Sequence, residues 1–121
     1  MAIHKVLVVD DNEPELMNLK NIVAATGASV LVARSGREAV AMASSESPDL
    51  ILMDIVMDEV DGYAACREIK HNPTTADIPV VFVSSKHQKA DRLWAAKQGG
   101  EDLISKPFTK EQIVDKIRSY K

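Results

Sequence analysis

Asp10 and Asp11 close one short apolar run, Val6–Val9, and Asp54 closes another, Leu50–Met53. Ser84 follows Val80–Val83, and Leu103–Ile104 leads through Ser105 to the pair Lys106–Pro107. Brought together, three carboxylates, a hydroxyl and an ammonium suit a divalent cation beside a phosphoryl group. Adjacent carboxylates repel and raise one another's pKa. A bound Mg²⁺ relieves that repulsion, since it takes oxygen ligands and keeps waters and substrate phosphate in its shell. Asp54 is the nucleophile candidate, because a carboxylate can attack phosphorus and form an acyl phosphate. Such a step needs positioning and charge neutralisation more than a strong base. Lys106 would supply positive charge, and Ser84 a hydrogen bond to a phosphoryl oxygen. Taken singly, each residue also has an ordinary reading: Asp-Asp-Asn can cap a helix, a lone Asp can serve a turn, and a lysine is most often solvated. The joint pattern is what points to chemistry.

These residues need a frame that gathers strand ends. Apolar runs alternate with helical patterns along the whole chain, which predicts a βαβ architecture around a buried parallel sheet. Strands are expected near Lys5–Val9, Ser29–Ala33, Leu50–Met53, Val80–Val83 and Asp102–Ile104. In an open parallel sheet, ligands bind at the carboxyl ends of the strands, where the polar residues fall. Helices are marked by caps and spacing. Asn12, Pro14 and Glu15 open the first, whose Leu16, Leu19 and Val23 form one stripe ending before Gly27. Ser35–Glu38 and Thr109–Gln112 read as capping boxes, Asp61-Gly62 opens the third helix, and Lys89–Gln98 forms the fourth, stopping at Gly99-Gly100. His71–Pro79 reads as a surface connection.

Composition limits the alternatives. The 121 residues are expected to form one domain, 1–121, and 45% apolar with 27% charged residues suits a packed core. A net charge of −3 argues against non-specific nucleic-acid binding. No apolar run approaches the roughly 18–20 residues that span a bilayer, and no secretory h-region opens the chain, so a cytoplasmic location is expected. The single cysteine, Cys66, excludes an internal disulfide and reads as a core residue beside Ile69. His4, His71 and His87 lack metal-ligand spacing.

The spaced set of Asp10-Asp11, Asp54, Ser84 and Lys106-Pro107-Phe108 resembles the receiver domain of two-component response regulators. Ser35-Gly36-Arg37-Glu38-Ala39, Pro48-Asp49-Leu50, Met57, Asp61-Gly62 and Ile78-Pro79-Val80 agree with it, across the whole chain. The resemblance implies a flavodoxin-like fold, a five-stranded parallel sheet in the order 2-1-3-4-5 flanked by five helices. It implies Mg²⁺ held by Asp11, Asp54 and the backbone carbonyl of Val56, with Asp10 assisting through water. It further implies phosphorylation of Asp54 by a histidine kinase, and a cis bond between Lys106 and Pro107. Ser84, Leu103 and Trp94 are the candidates for switching and output. Trp94 is either packing or an anchor on the face of the fourth helix, fifth strand and fifth helix, which relatives use for binding partners. With nothing after the fifth helix, output is expected through protein contact, as in regulators of chemotaxis-like and type IV pilus systems.

Departures from the pattern lie around the site. Asp58 stands where the family usually has proline, which groups Asp58, Glu59 and Asp61 in an acidic loop. Leu103 replaces the usual aromatic switch residue. An aspartate-nucleophile phosphatase would need an acid two residues after Asp54, where Val56 stands, and a nucleotide- or flavin-binding domain would need a Gly-rich loop after the first strand. A degenerate receiver serving as an interaction module would lack some of the five key groups, and all are present. Val56 and Lys86 occupy the places where the family varies its self-dephosphorylation. Apolar Val56 cannot orient an attacking water, so the aspartyl phosphate should be long-lived. Decay within seconds in Mg²⁺ buffer, after loading with a small phosphodonor, would contradict this.

Overall fold

A computed structural model describes residues 3–57, 59–85 and 89–120. Five strands, β1 (Lys5–Val9), β2 (Ser29–Ala33), β3 (Leu50–Met53), β4 (Val80–Ser84) and β5 (Asp102–Ser105), alternate with five helices. The helices are α1 (Glu13–Ala24), α2 (Gly36–Glu46), α3 (Gly62–His71), α4 (Lys89–Lys97) and α5 (Lys110–Arg118). All strand pairs are parallel and the sheet order is β2-β1-β3-β4-β5. The fold is therefore the expected one.

Alternation along each strand divides the core in two. Val6 and Val8 face Leu16, Leu19 and Val23 of α1 and Ile113 and Ile117 of α5. Leu7 and Val9 face Ala39 and Ala43 of α2, Cys66 and Ile69 of α3, and Ala95 of α4. Successive side chains of a strand point to opposite faces, so an unbroken apolar run is what a doubly covered strand requires. Thus β1, which has neighbours on both sides, is fully buried from Val6 to Val9, whereas edge strand β2 keeps only Ala33 fully buried.

The caps follow the expected residues with one difference. Asn12, Ser35, Asp61 and Thr109 each accept a backbone N–H three residues on. Thr109 and Gln112 complete a reciprocal capping box. At Ser35 the return bond goes elsewhere: the Glu38 carboxylate accepts the N–H of Arg34 at 3.1 Å, one residue upstream. Strands β4 and β5 each run one residue beyond their apolar stretch, because Ser84 and Ser105 are partners in the ladder. At the outer edge of the sheet, the Arg92 guanidinium donates to the carbonyl of Leu103 at 2.7 Å, and Lys116 pairs with Asp102 at 2.6 Å. The segment 71–79 is tied down rather than loose, since the Thr75 hydroxyl is buried and donates to the carbonyl of Ile69 at 2.6 Å.

Gly62 lets α3 start against the end of β3. Its N–H donates to the carbonyl of Ile55 at 2.8 Å, and a Cβ there would collide with the carbonyl of Asp54 and lie 2.9 Å from Ile55 Cα. Gly27 is the opposite case, with φ of +94° and open space around it. Gly62→Ala is expected to cost at least about 3 kcal/mol, as overpacking against fixed backbone does. Gly27→Ala should cost about 1–2 kcal/mol through left-handed strain alone. Urea unfolding of the two variants beside wild type checks the ranking.

Candidate functional site

Register brings the polar strand ends together. Val9 pairs with Met53, so Asp10 and Asp54 leave adjacent strands at the same level, and the Asp54 N–H donates to the carbonyl of Val9 at 3.0 Å. Here the strand order reverses direction from β1, the crevice that open α/β sheets use for ligands. Ser84 pairs with Ser105, and the Lys106 N–H donates to the carbonyl of Ser84 at 2.8 Å, which places Lys106 two strands from Asp54. The Lys106–Pro107 peptide is cis.

The Lys106 ammonium spans the gap. It lies 3.1 Å from Asp10 Oδ2, 3.2 Å from Glu15 Oε1 and 3.8 Å from Asp54 Oδ1. Asp10 is buried, and its other oxygen accepts the N–H of Asn12 at 2.9 Å. Asp54 accepts the N–H of Ile55 at 2.9 Å. Burial pushes the Asp54 carboxyl up to about 6; Lys106 and the Ile55 N–H pull it down, while Asp10 and Glu15 push it further up. Burial alone would lower the Lys106 ammonium, but the charges of Asp54 and Asp10 and the bonds to Asp10 and Glu15 outweigh it and raise its pKa.

Asp10, Asp11 and Asp54 each offer a carboxylate oxygen, all within 4.8 Å of one another. Two of these acids are buried and Asp11 is exposed. An all-oxygen donor set of this size fits a hard divalent cation with room for water and a further oxygen ligand. Asp10, Asp54 and Lys106 line a cleft of about 520 Å³, whose wall also includes Glu15, Val56, Ser85 and Phe108. Ser84 is fully buried at the end of β4, and it is Ser85 that lines the cleft. Val56 is 55% exposed.

Two wall residues were not anticipated. Glu15 reads in sequence as part of a helix start, and Ser85 is not singled out there. Glu15 had a signal: helical side chains tilt toward the helix N-terminus, and α1 begins directly after Asp10-Asp11. Its carboxylate is thereby returned to the strand end. The acidic loop has other duties. Asp61 caps α3 by accepting the N–H of Ala64 at 2.9 Å, and Glu59 lies 3.6 Å from Arg37 on the surface. Asp58, Lys86 and His87 lie outside the described residues.

The remaining candidates sit away from the cleft. Leu103 is buried against Phe82 and Ala95 in the core under α4. Trp94 is 51% exposed, edge-on to Tyr63 with ring centroids 6.5 Å apart, and Tyr63 is edge-on to Phe82 at 5.2 Å. Leu93 is exposed beside Trp94. Cys66 is buried among core residues, and burial pushes its thiol up to about 11.

Residues 6–118 match the family described as the response regulator receiver domain. The chain belongs to that family. This receiver domain is 36% identical over 115 residues to PilH of Pseudomonas aeruginosa, covering 95% of each protein. It is 36% identical to the response regulator PleD of Caulobacter vibrioides, of which it spans 25%. Among solved structures, the receiver domain of a Pseudomonas aeruginosa sensor histidine kinase, with magnesium coordinated in its active site cleft, is 26% identical with a TM-score of 0.90, each chain 98% covered. The Vibrio cholerae chemotaxis protein CheY4 shares the fold at a TM-score of 0.91, with 23% identity and 98% coverage of each chain. Receiver domains are signalling phosphoacceptors and generally not enzymes. Among the described residues, no helix is long and apolar enough to cross a membrane.

The raised Asp54 carboxyl has a consequence for stability. A carboxyl that titrates near 6 when folded and near 3.8 when unfolded adds stability below about pH 4, and this contribution is lost as pH rises through 6. Asp54→Asn should therefore stabilise the metal-free protein at pH 7 by roughly 2–3 kcal/mol. The difference should vanish near pH 4. Denaturant unfolding with chelator at both pH values measures it; a variant less stable than wild type at pH 7 would refute the account.

Proposed function

We propose that this receiver domain is a phosphoacceptor switch in which Asp54 takes the phosphoryl group from a histidine kinase and output passes by protein contact. The observation that carries this is the position of Asp54, between the Asp10–Asp11 pair and the Lys106 ammonium at the wall of an open cleft. Asp11, Asp54 and the carbonyl of Val56 would hold Mg²⁺, with Asp10 acting through water. When bound, the cation supplies positive charge against the phosphoryl oxygens and the crowded carboxylates.

An Asp54 carboxylate oxygen attacks phosphorus as the P–N bond of the donor phosphohistidine breaks, and that electron pair returns to the imidazole nitrogen. The product is an acyl phosphate on Asp54. Lys106 holds one phosphoryl oxygen by a hydrogen bond; Ser84, buried at the end of β4 and outside the cleft wall, must turn toward the cleft to hold a second. Charge newly placed between β3, β4 and β5 shifts an equilibrium between two surface arrangements, by no more than the new contacts differ in energy between them. The face of α4, β5 and α5 is where we place the downstream protein; Trp94 is exposed on α4 beside Tyr63 of α3. Likeness to PilH over nearly the full length of both proteins supports a chemotaxis-like or pilus-motility pathway in the cytoplasm.

The test is incubation with Mg²⁺ and acetyl phosphate, or with beryllofluoride as its mimic, comparing wild type with Asp54→Asn. Wild type should gain one phosphoryl group by intact mass and Asp54→Asn none. In this reaction the P–O bond of acetyl phosphate breaks and acetate leaves. No Mg²⁺-dependent change in wild type would instead favour a phosphorylation-independent interaction module.

A further inference from the structure

Three carboxylates share the Lys106 ammonium, and they are not equivalent. Asp10 and Asp54 have buried side chains, 4% and 12% exposed, and each is tied to a backbone N–H. Glu15 is different. Its side chain is 48% exposed, it comes from the first turn of α1, and it lies outside the three-carboxylate group that can hold a cation. Its oxygen is nonetheless 3.2 Å from Lys106 Nζ, closer than the 3.8 Å of Asp54. An ammonium has three N–H donors and no acceptor. With two carboxylates at hydrogen-bond distance, most of the capacity that an incoming anion needs is already taken.

We propose that Glu15 is an anion gate on the acceptor site: its carboxylate occupies the Lys106 ammonium, and it must swing out to solvent before a phosphoryl group or any tetrahedral anion mimic can bind there. This rests on the phosphoacceptor reading above. Half-exposure makes the outward swing available to Glu15, whereas Asp10 would abandon both a buried position and the Asn12 N–H. Glu15 thereby sets specificity. It opposes small anionic donors, which bring negative charge to a place already holding it. Toward a cation the sign reverses, since the same carboxylate adds to the negative field that attracts Mg²⁺.

Glu13 is a built-in control. It lies in the same first turn with the same charge, but it pairs with Arg34, at 2.6 Å, instead of with Lys106. The experiment uses the full chain as wild type, Glu15→Gln and Glu13→Gln, with folding checked by amide NMR spectra. Each is titrated with Mg²⁺ alone, then with beryllofluoride at saturating Mg²⁺, and the amide shifts give both affinities. Glu15→Gln should bind beryllofluoride about fivefold more tightly, the upper range for a partly exposed ion pair. Its Mg²⁺ affinity should stay equal or fall, and Glu13→Gln should change both by less than about twofold. Unchanged or weaker beryllofluoride binding in Glu15→Gln, or an equal gain in Glu13→Gln, overturns the gate while leaving the phosphoacceptor reading intact. If neither wild type nor Glu15→Gln binds beryllofluoride, the phosphoacceptor reading fails and the gate with it.

Discussion

Carboxylates buried side by side repel, and at the ends of β1 and β3 a single ammonium answers that repulsion. The pairing of Val9 with Met53 sets Asp10 and Asp54 level, and Lys106 reaches them from across β4. The three strands involved are held in place by apolar side chains on both faces, so the acids cannot drift apart to relieve the strain. Burial first, and the Asp10 and Glu15 charges after it, make the Asp54 carboxyl hold its proton more tightly than a free aspartate does. A site in this condition gains from a divalent cation, because the cation removes a cost that the fold has already imposed.

Much of this was legible from residue types. Unbroken runs such as Val6–Val9 and Leu50–Met53 announced strands covered on both faces, and Asn12, Asp61 and Thr109 announced helix starts. Two kinds of feature were not. The last ladder residues, Ser84 and Ser105, look like loop residues because a polar side chain at a strand end interrupts the apolar signal without interrupting the backbone pairing. The contact of Glu15 with Lys106 joins the first helix to the last strand, and no local pattern encodes a pairing of that kind. Glu38 illustrates a finer limit. Its spacing from Ser35 suits a capping box, but the N–H of Arg34 is also within reach and takes the bond.

How a change at the cleft reaches the surface depends on packing in this particular core. Leu103 is buried in it and has no ring to rotate. The aromatic side chains stand elsewhere, in a line from Phe82 on β4 through Tyr63 on α3 to Trp94 on α4. This line starts in the core under α3 and α4, on the side of β4 away from Val83 and Ser85 of the cleft, and ends on the exposed face of α4.

Arg92 does more than decorate the rim. An edge strand presents unpaired carbonyls to any extended chain that comes near, and β5 is such an edge. By donating to the carbonyl of Leu103, and by standing with Lys116 around Asp102, Arg92 leaves that stretch of the edge already bonded and charged. A second copy cannot add its own strand there without first displacing the guanidinium. Extension of the sheet by another copy is thus opposed at β5, one of its two edges.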